Sequence, residues 1–323
     1  MYFNKNNNFY HGIMFHHFHD DGIHTKIQGS IDKDDFYRII NFIGRNNILD
    51  ADVFLEKFKK NKLRDNEVCL TFDDTIKCQI DIALPILEEL KIKSFFFSYT
   101  SIFEGNPDNL EYFRYFRMNY FNSVNEFYVN FYKFLDKDLK PFFKKNSKTI
   151  KEKKIKFIHY SIEDIKFRLV RDILLTKSQY EKTMFQMFEE KKFSYKDFSK
   201  KLFFQKNDLQ KLDNLGHLIG LHTHNHPTLI ENLNYDEQKY EYEKNLSSIS
   251  SILDKPQNEI KCMSHPCGSY NNDTLEILKE LGIELGFKQI MNIEPEKGMK
   301  KINNSSLEIA RQDHAAIFKI MNQ

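Results

Sequence analysis

Little in this chain offers a disulfide framework, a membrane anchor or a charge-driven partner. Only four cysteines, Cys69, Cys78, Cys262 and Cys267, occur in 323 residues, and none forms a Cys-x-x-Cys pair. They are too few and too scattered to staple a chain of this length, so they read as reduced thiols of a cytoplasmic protein. No apolar run approaches the roughly 18 residues of a membrane-spanning helix. Residues 1–15 carry Asn and Lys where a secretion signal would be apolar. Basic and acidic residues nearly cancel, 48 against 46, which removes net charge as an argument for nucleic acid. The Lys-rich stretch 144–156 reads as a solvated helix face.

What is present is the composition of a folded domain, 41% hydrophobic and 29% charged. The length fits one catalytic domain with a sizeable insertion, or two domains. Compact apolar runs at 12–15, 67–72, 93–99, 218–221, 259–263, 284–287 and 307–310 read as strands. Helical spacing covers 32–45 (Asp32 a plausible cap), 52–60, 80–90, 235–253 and 273–281. Strand, helix, strand with short connections is the grammar of a parallel α/β unit. Between 101 and 204 the texture changes. Phe113, Phe116, Tyr120, Phe127, Phe131 and Phe134 recur at helical intervals among Lys and Glu, which predicts a mainly helical insertion with an aromatic core.

The histidines are clustered. His11, His16, His17, His19 and His24 crowd the start, and His217, His222, His224 and His226 crowd one later segment. Three predicted strands end abruptly in polar residues, and in parallel α/β folds ligands bind at the carboxyl ends of strands. The first end is Thr71-Phe72-Asp73-Asp74. Adjacent carboxylates repel unless a cation or a proton intervenes, although an Asp pair can also cap a helix. The second, His222-Thr223-His224-Asn225-His226-Pro227, places imidazoles where a metal could be held. The third, Ser264-His265-Pro266-Cys267-Gly268-Ser269-Tyr270-Asn271, is a tight loop whose backbone N–H groups could face an oxyanion.

Taken jointly, these segments resemble the motifs of the polysaccharide deacetylases (carbohydrate esterase family 4, the NodB-homology domain). The resemblance implies an α/β fold over 1–323: a distorted (β/α) barrel with fewer than eight regular strands, interrupted by the helical insertion 101–204. It implies Asp73 as catalytic base, Asp74, His222 and His226 as ligands of one divalent metal, and Thr223 as the brace of the His loop. Zinc is the default ion for such a set, with cobalt, nickel and iron as alternatives. Pro266, Cys267, Gly268 and Tyr270 would line the substrate and oxyanion side. The implied reaction is release of an N-acyl group, acetyl first and formyl as alternative, from a sugar. That sugar would be free, nucleotide-linked or lipid-linked and destined for surface polysaccharide or lipopolysaccharide.

Two features depart from the family pattern. The Arg expected shortly before Pro266 is missing, and Arg311 on the last candidate strand is the substitute. No late Leu-x-His motif supplies the general acid, which leaves His16, His265 and His314, with Asp313 beside the last. The 148 positions between Asp74 and His222 make the insertion a candidate lid, wall or oligomer interface. The location expected is the cytoplasm, or the inner membrane face if the sugar is lipid-linked. Two other readings compete: a metallo-amidohydrolase using His17 and His19, and an inactive carbohydrate-binding relative.

Overall fold

The computed structural model describes residues 9–27, 29–135, 137–156 and 160–321. Residues 1–8 of the expected signal-free start, and 136 and 157–159 of the expected insertion, lie outside the described residues. The chain divides into two units: Met1–Asp108 with Lys200–Gln323, and Asn109–Ser199.

The first unit is built on seven strands: β1 (His11–Phe15), β2 (Val68–Phe72), β3 (Phe95–Ser98), β4 (Leu218–Leu221), β5 (Cys262–Ser264), β6 (Leu285–Phe287) and β7 (Arg311–Asp313). Their order is β6-β5-β4-β3-β2-β1-β7, and every pairing is parallel. Ile309 closes the ring. Its N–H donates to the Gly286 carbonyl at 2.9 Å, and its carbonyl accepts from Lys288 at 2.9 Å. Strands buried on both faces must be apolar throughout, and β1 and β2 are buried at every residue. A Cβ at Gly220 would lie 2.6 Å from the Cys262 carbonyl oxygen and 2.7 Å from the Phe97 ring, so β4 needs glycine there.

Helices wrap this barrel: α1 (Lys33–Ile43), α2 (Ala51–Lys59) and α3 (Leu84–Glu89), the last entered through a π-helical turn at Gln79–Ala83. Asp32 caps α1 by accepting from the Asp35 N–H at 2.8 Å. The expected last strand at 307–310 is displaced. The regular ladder is 311–313, and 307–310 contributes one bridge at Ile309. The polar text Arg-Gln-Asp conceals a strand whose first two residues are buried.

The second unit is helical, as the aromatic spacing predicts. It contains α4 (Asn109–Asn119), α5 (Val124–Phe134), α6 (Lys140–Lys145), α7 (Ser147–Lys156), α8 (Ile162–Leu169) and α9 (Lys177–Glu190). Phe113, Phe116, Phe127 and Phe131 are buried. Phe116 meets Phe188 with ring centroids 4.6 Å apart, and Phe131 meets Phe167 at 5.1 Å. A short α10 (Ser199–Leu202) marks the return to the first unit, followed by α11 (Lys206–Asn214), α12 (Tyr235–Leu253), α13 (Asn272–Glu280) and α14 (His314–Met321).

Candidate active site

Each of the three motif loops begins where a strand stops, so the barrel gathers them at one end. The backbone there is strained. Asp74, Thr75, Thr223, His226 and Cys267 have φ between 52° and 73°, five of the nine non-glycine residues with positive φ among those described. Such conformations persist only where surrounding contacts hold them.

Asp73, buried past the end of β2, is gripped by Arg311. Nη1 donates to Oδ1 and Nη2 to Oδ2, each at 2.7 Å. Arg311 also donates to Ser264 Oγ at 2.7 Å, to Thr71 Oγ1 at 3.2 Å and to the Lys288 carbonyl at 3.0 Å. Ser264 Oγ lies 3.2 Å from Asp73 Oδ2. Burial pushes the Asp73 carboxyl up, but the charges of Arg311, His222 and His16, with the Arg311 hydrogen bonds, outweigh it and hold it below its ordinary value.

Asp74 Oδ1 lies 3.2 Å from His222 Nε2 and 3.2 Å from His226 Nε2. These three are the one group among the described residues whose His, Cys, Asp or Glu donor atoms converge as a metal site would require, all within 4.8 Å of one another. The far side of each ring is engaged. His222 Nδ1 faces the Ser264 carbonyl at 2.9 Å, and His226 Nδ1 faces Asp108 Oδ2 at 3.1 Å. A carbonyl or carboxylate at Nδ1 fixes the tautomer and leaves Nε2 as the donor atom, the arrangement of metal-binding histidines. The electrostatics agree. Burial lowers the His226 pKa, yet Asp74 and Asp108 raise it well above its ordinary value. Asp74 is pushed up by burial but drawn well below its usual range by His16, His226 and His222. The pocket asks for positive charge, and a two-His, one-carboxylate set suits a divalent ion with positions left open.

The remaining expected residues separate into two groups. His16 Nε2 is 3.9 Å from Asp73 Oδ2 and 3.8 Å from Asp74 Oδ2, with its side chain 21% exposed. Thr223 is buried, its Oγ1 donating to the His222 carbonyl at 2.5 Å and accepting from the His226 N–H at 3.2 Å. His265 is buried, stacked on Tyr270 with centroids 4.2 Å apart, and its Nε2 faces the Leu307 carbonyl at 2.9 Å. Burial drives its pKa down to about 3, which makes it a poor proton carrier near neutrality. His314 lies between the Gly29 carbonyl (2.8 Å) and the Met14 carbonyl (3.2 Å), while Asp313 accepts from the Ala315 N–H at 2.7 Å. No contact among the described residues places either against Asp73.

In the third loop Pro266 is buried and Cys267 is exposed. The N–H groups of Gly268, Ser269 and Tyr270 are taken by His265, Pro266 and Glu231, which leaves those three poorly placed for an oxyanion. His224 hydrogen-bonds Thr100 Oγ1 through Nδ1 at 2.9 Å. His19 pairs with Ser30 at 2.9 Å, and neither His17 nor His19 joins a metal-competent group among the described residues.

Several residues with evident roles escape a reading of the sequence. Asn245 on α12 accepts from the His222 N–H at 3.0 Å and donates to the Ser98 carbonyl at 3.0 Å. Glu241, one turn earlier, accepts from the N–H groups of His224 and Asn225 at 3.0 and 2.7 Å. Two polar residues four apart on the face that also buries Tyr242, Leu246 and Ile249 were the available signal. Asp108, in a loop after Pro107, gave none.

Residues 136–286 match the polysaccharide deacetylase family model, described as "Polysaccharide deacetylase". The match spans the His222–Pro227 and Pro266–Asn271 motifs but not Asp73-Asp74. No curated protein matches the chain by sequence. Among solved structures, the deacetylase PplD of Streptococcus pyogenes aligns with TM-score 0.53 and 15% identity, covering 94% of this chain and 90% of the other. A de-N-acetylase from Aggregatibacter actinomycetemcomitans gives 0.54 and 14%, covering 96% and 98%. IcaB from Ammonifex degensii gives 0.52 and 12%, covering 94% and 91%. At these identities the structures speak for a shared fold. Fold, partial family match and motif order agree: residues 136–286 match the polysaccharide deacetylase model, and the chain shares the (β/α)-barrel fold of the solved deacetylases.

Proposed function

We propose that this protein is a metal-dependent hydrolase that removes an N-acetyl group from a sugar used to build a surface polysaccharide. The observation carrying it is the pairing of Asp73, gripped by Arg311, with the adjacent Asp74-His222-His226 triad. A divalent ion held by that triad, zinc by default, would supply Lewis acidity toward the acyl carbonyl and the attacking water.

The residues then divide the work. Asp73, kept ionised by Arg311, takes a proton from water as its oxygen bonds to the acyl carbon. When the C–N bond breaks, the leaving nitrogen needs a proton to become an amine, and acetate is the second product. His16 is the candidate donor, because it alone of the three histidines considered is partly exposed and close to both carboxylates. The substrate class is an N-acetylated amino sugar, free or carried on a nucleotide or lipid. The family match and the relatives' activities support deacetylation, while the formamido alternative uses the same chemistry.

The test is elemental analysis of wild type, Asp74→Ala and His226→Ala, followed by acetate release from N-acetylated oligosaccharides. Near one metal per chain in wild type, lost in both variants together with activity, is expected. Metal retained in both variants overturns the triad. Metal bound without acyl release from any amino sugar overturns the enzymatic reading in favour of carbohydrate binding.

A further inference from the structure

Positive charge is unevenly placed in this chain. Residues 140–156, which carry α6 and α7, hold eight lysines, one acid (Glu152) and no arginine, a net +7 against +2 for the whole chain. The rest of the chain is therefore net acidic. Asp138, two residues before α6, accepts from the Lys140 backbone N–H at 3.0 Å, so it serves the start of that helix.

Both helices turn lysines outward along one side. The exposed positions include Lys140, Lys144 and Lys145 on α6, and Lys148, Lys151, Glu152 and Ile155 on α7. Positions three, four and seven apart share one side of a helix. Ile155 stands in the α7 stripe 78% exposed, more than any other large apolar side chain described. Glu152 approaches Lys148 only to 3.9 Å. Among the described residues no acid pairs with Lys140, Lys144, Lys145 or Lys151.

A helix that needs only solubility mixes its charges, because like charges three or four apart repel. Lys148, Lys151 and Lys154 follow one another at spacings of three with one acid on the whole helix, so an external anionic surface would relieve the repulsion. The aromatic rings of α6 are not presented to such a surface. Phe143 meets Tyr132 of α5 with centroids 6.0 Å apart, and Lys166 of α8 lies 5.5 Å from its ring centroid. With no arginine and both phenylalanines half-buried, these helices lack the forks and stacking platforms that nucleic acid recognition uses. Lysines on flexible stems around an outward aliphatic side chain instead match mobile anionic headgroups above acyl chains. We propose that the exposed stripe of α7, with the adjoining lysines of α6, docks on an anionic lipid bilayer, the lysines at the headgroups and Ile155 at the acyl boundary. The proposal does not rest on the deacetylase reading.

The test is sedimentation of the full chain with vesicles of phosphatidylcholine alone and of phosphatidylcholine mixed with phosphatidylglycerol. Wild type is compared with the triple variant Lys144→Gln/Lys148→Gln/Lys151→Gln and with Ile155→Ser. Every substituted position is exposed, so melting temperatures should match wild type. Wild type should sediment with the mixed vesicles, stay in solution with phosphatidylcholine alone, and be released as salt rises. A lysine near such a surface contributes about fivefold in affinity, so the triple variant should bind about a hundredfold more weakly. Ile155→Ser should lose about severalfold on vesicles and bind heparin as wild type does. No sedimentation of wild type with the mixed vesicles, or equal sedimentation of the triple variant, overturns the proposal. Ile155→Ser equal to wild type on vesicles reduces the effect to attraction for any polyanion and overturns it too. Duplex DNA that draws wild type off the vesicles at equal phosphate concentration overturns it in favour of nucleic acid.

Discussion

Arg311, on the strand that closes the barrel, donates to both carboxylate oxygens of Asp73, which follows the second strand. The guanidinium is itself fixed by Ser264, Thr71 and the Lys288 carbonyl, so it arrives preformed and holds one carboxylate orientation.

Replacing Arg311 by Met should therefore leave Asp73 with burial as the dominant influence. Loss of an adjacent arginine raises an aspartate pKa by about one to three units. The acid limb of the pH–activity profile should move up by a comparable amount, and activity near neutrality should fall. Arg311→Lys should recover only part of it, because an ammonium cannot span both oxygens. Metal content should stay near that of wild type, because Arg311 touches none of Asp74, His222 or His226 among the contacts described. An unshifted acid limb in an active, metal-loaded Arg311→Met protein would remove Asp73 from the role of base.

Asp108 acts at one remove. Its Oδ2 lies 3.1 Å from His226 Nδ1, which orients the ring and strengthens Nε2 as a donor. Removal of such outer partners typically weakens metal binding about 10- to 100-fold. Asp108→Ala should show that loss in competition titrations against a chelator, with Asp108→Asn closer to wild type because its side-chain oxygen can still accept. Unchanged affinity in Asp108→Ala would mean that His226 does not hold the ion through Nε2.

Much of this was legible in the sequence where hydrophobic pattern and polar strand ends coincide. Val68–Phe72 running into Asp73-Asp74, and Leu218–Leu221 running into His222, can be read directly because parallel strands are apolar throughout and their ends carry the chemistry. Arg311 was recognisable only as a missing charge that some residue had to supply. Its strand was not, since Arg-Gln-Asp has no strand periodicity and is ordered by pairing with β1 and with Asp73. Asp108, Glu241 and Asn245 were hidden for a related reason. Their partners are 118, 17 and 23 positions away; the polar pair on the apolar face of α12 marks Glu241 and Asn245 as unusual, but no local pattern names partners met only once the barrel has closed.

The last prediction concerns stability in acid. His217 is buried before β4, with its ring against Phe96, and its Nδ1 accepts the Ser94 N–H at 3.0 Å. A proton on Nδ1 would destroy that bond and strand a charge beside an apolar face, where Nε2 has no hydrogen-bond partner. Burial, followed by the nearby Lys93 charge, pushes the pKa of His217 down to about 4 from 6.5. Between those values the unfolded chain takes up a proton that the folded chain refuses, so stability falls as pH falls through that window. Below about 4 both states are protonated at this residue and its effect levels off. At 1.36 kcal/mol per unit the full effect is on the order of 3 kcal/mol. Burial lowers His11 to about 4 and His265 to about 3, so the three should act in the same direction. Urea unfolding of chelator-treated protein, which keeps metal release out of the comparison, should show a midpoint that drops from pH 6.5 toward pH 4. In His217→Gln, whose side-chain oxygen can still accept from Ser94, the drop should be shallower by up to one proton's share. An equal drop in wild type and variant would show that His217 is protonated in the folded state, and the buried Ser94 bond would then have to be redrawn.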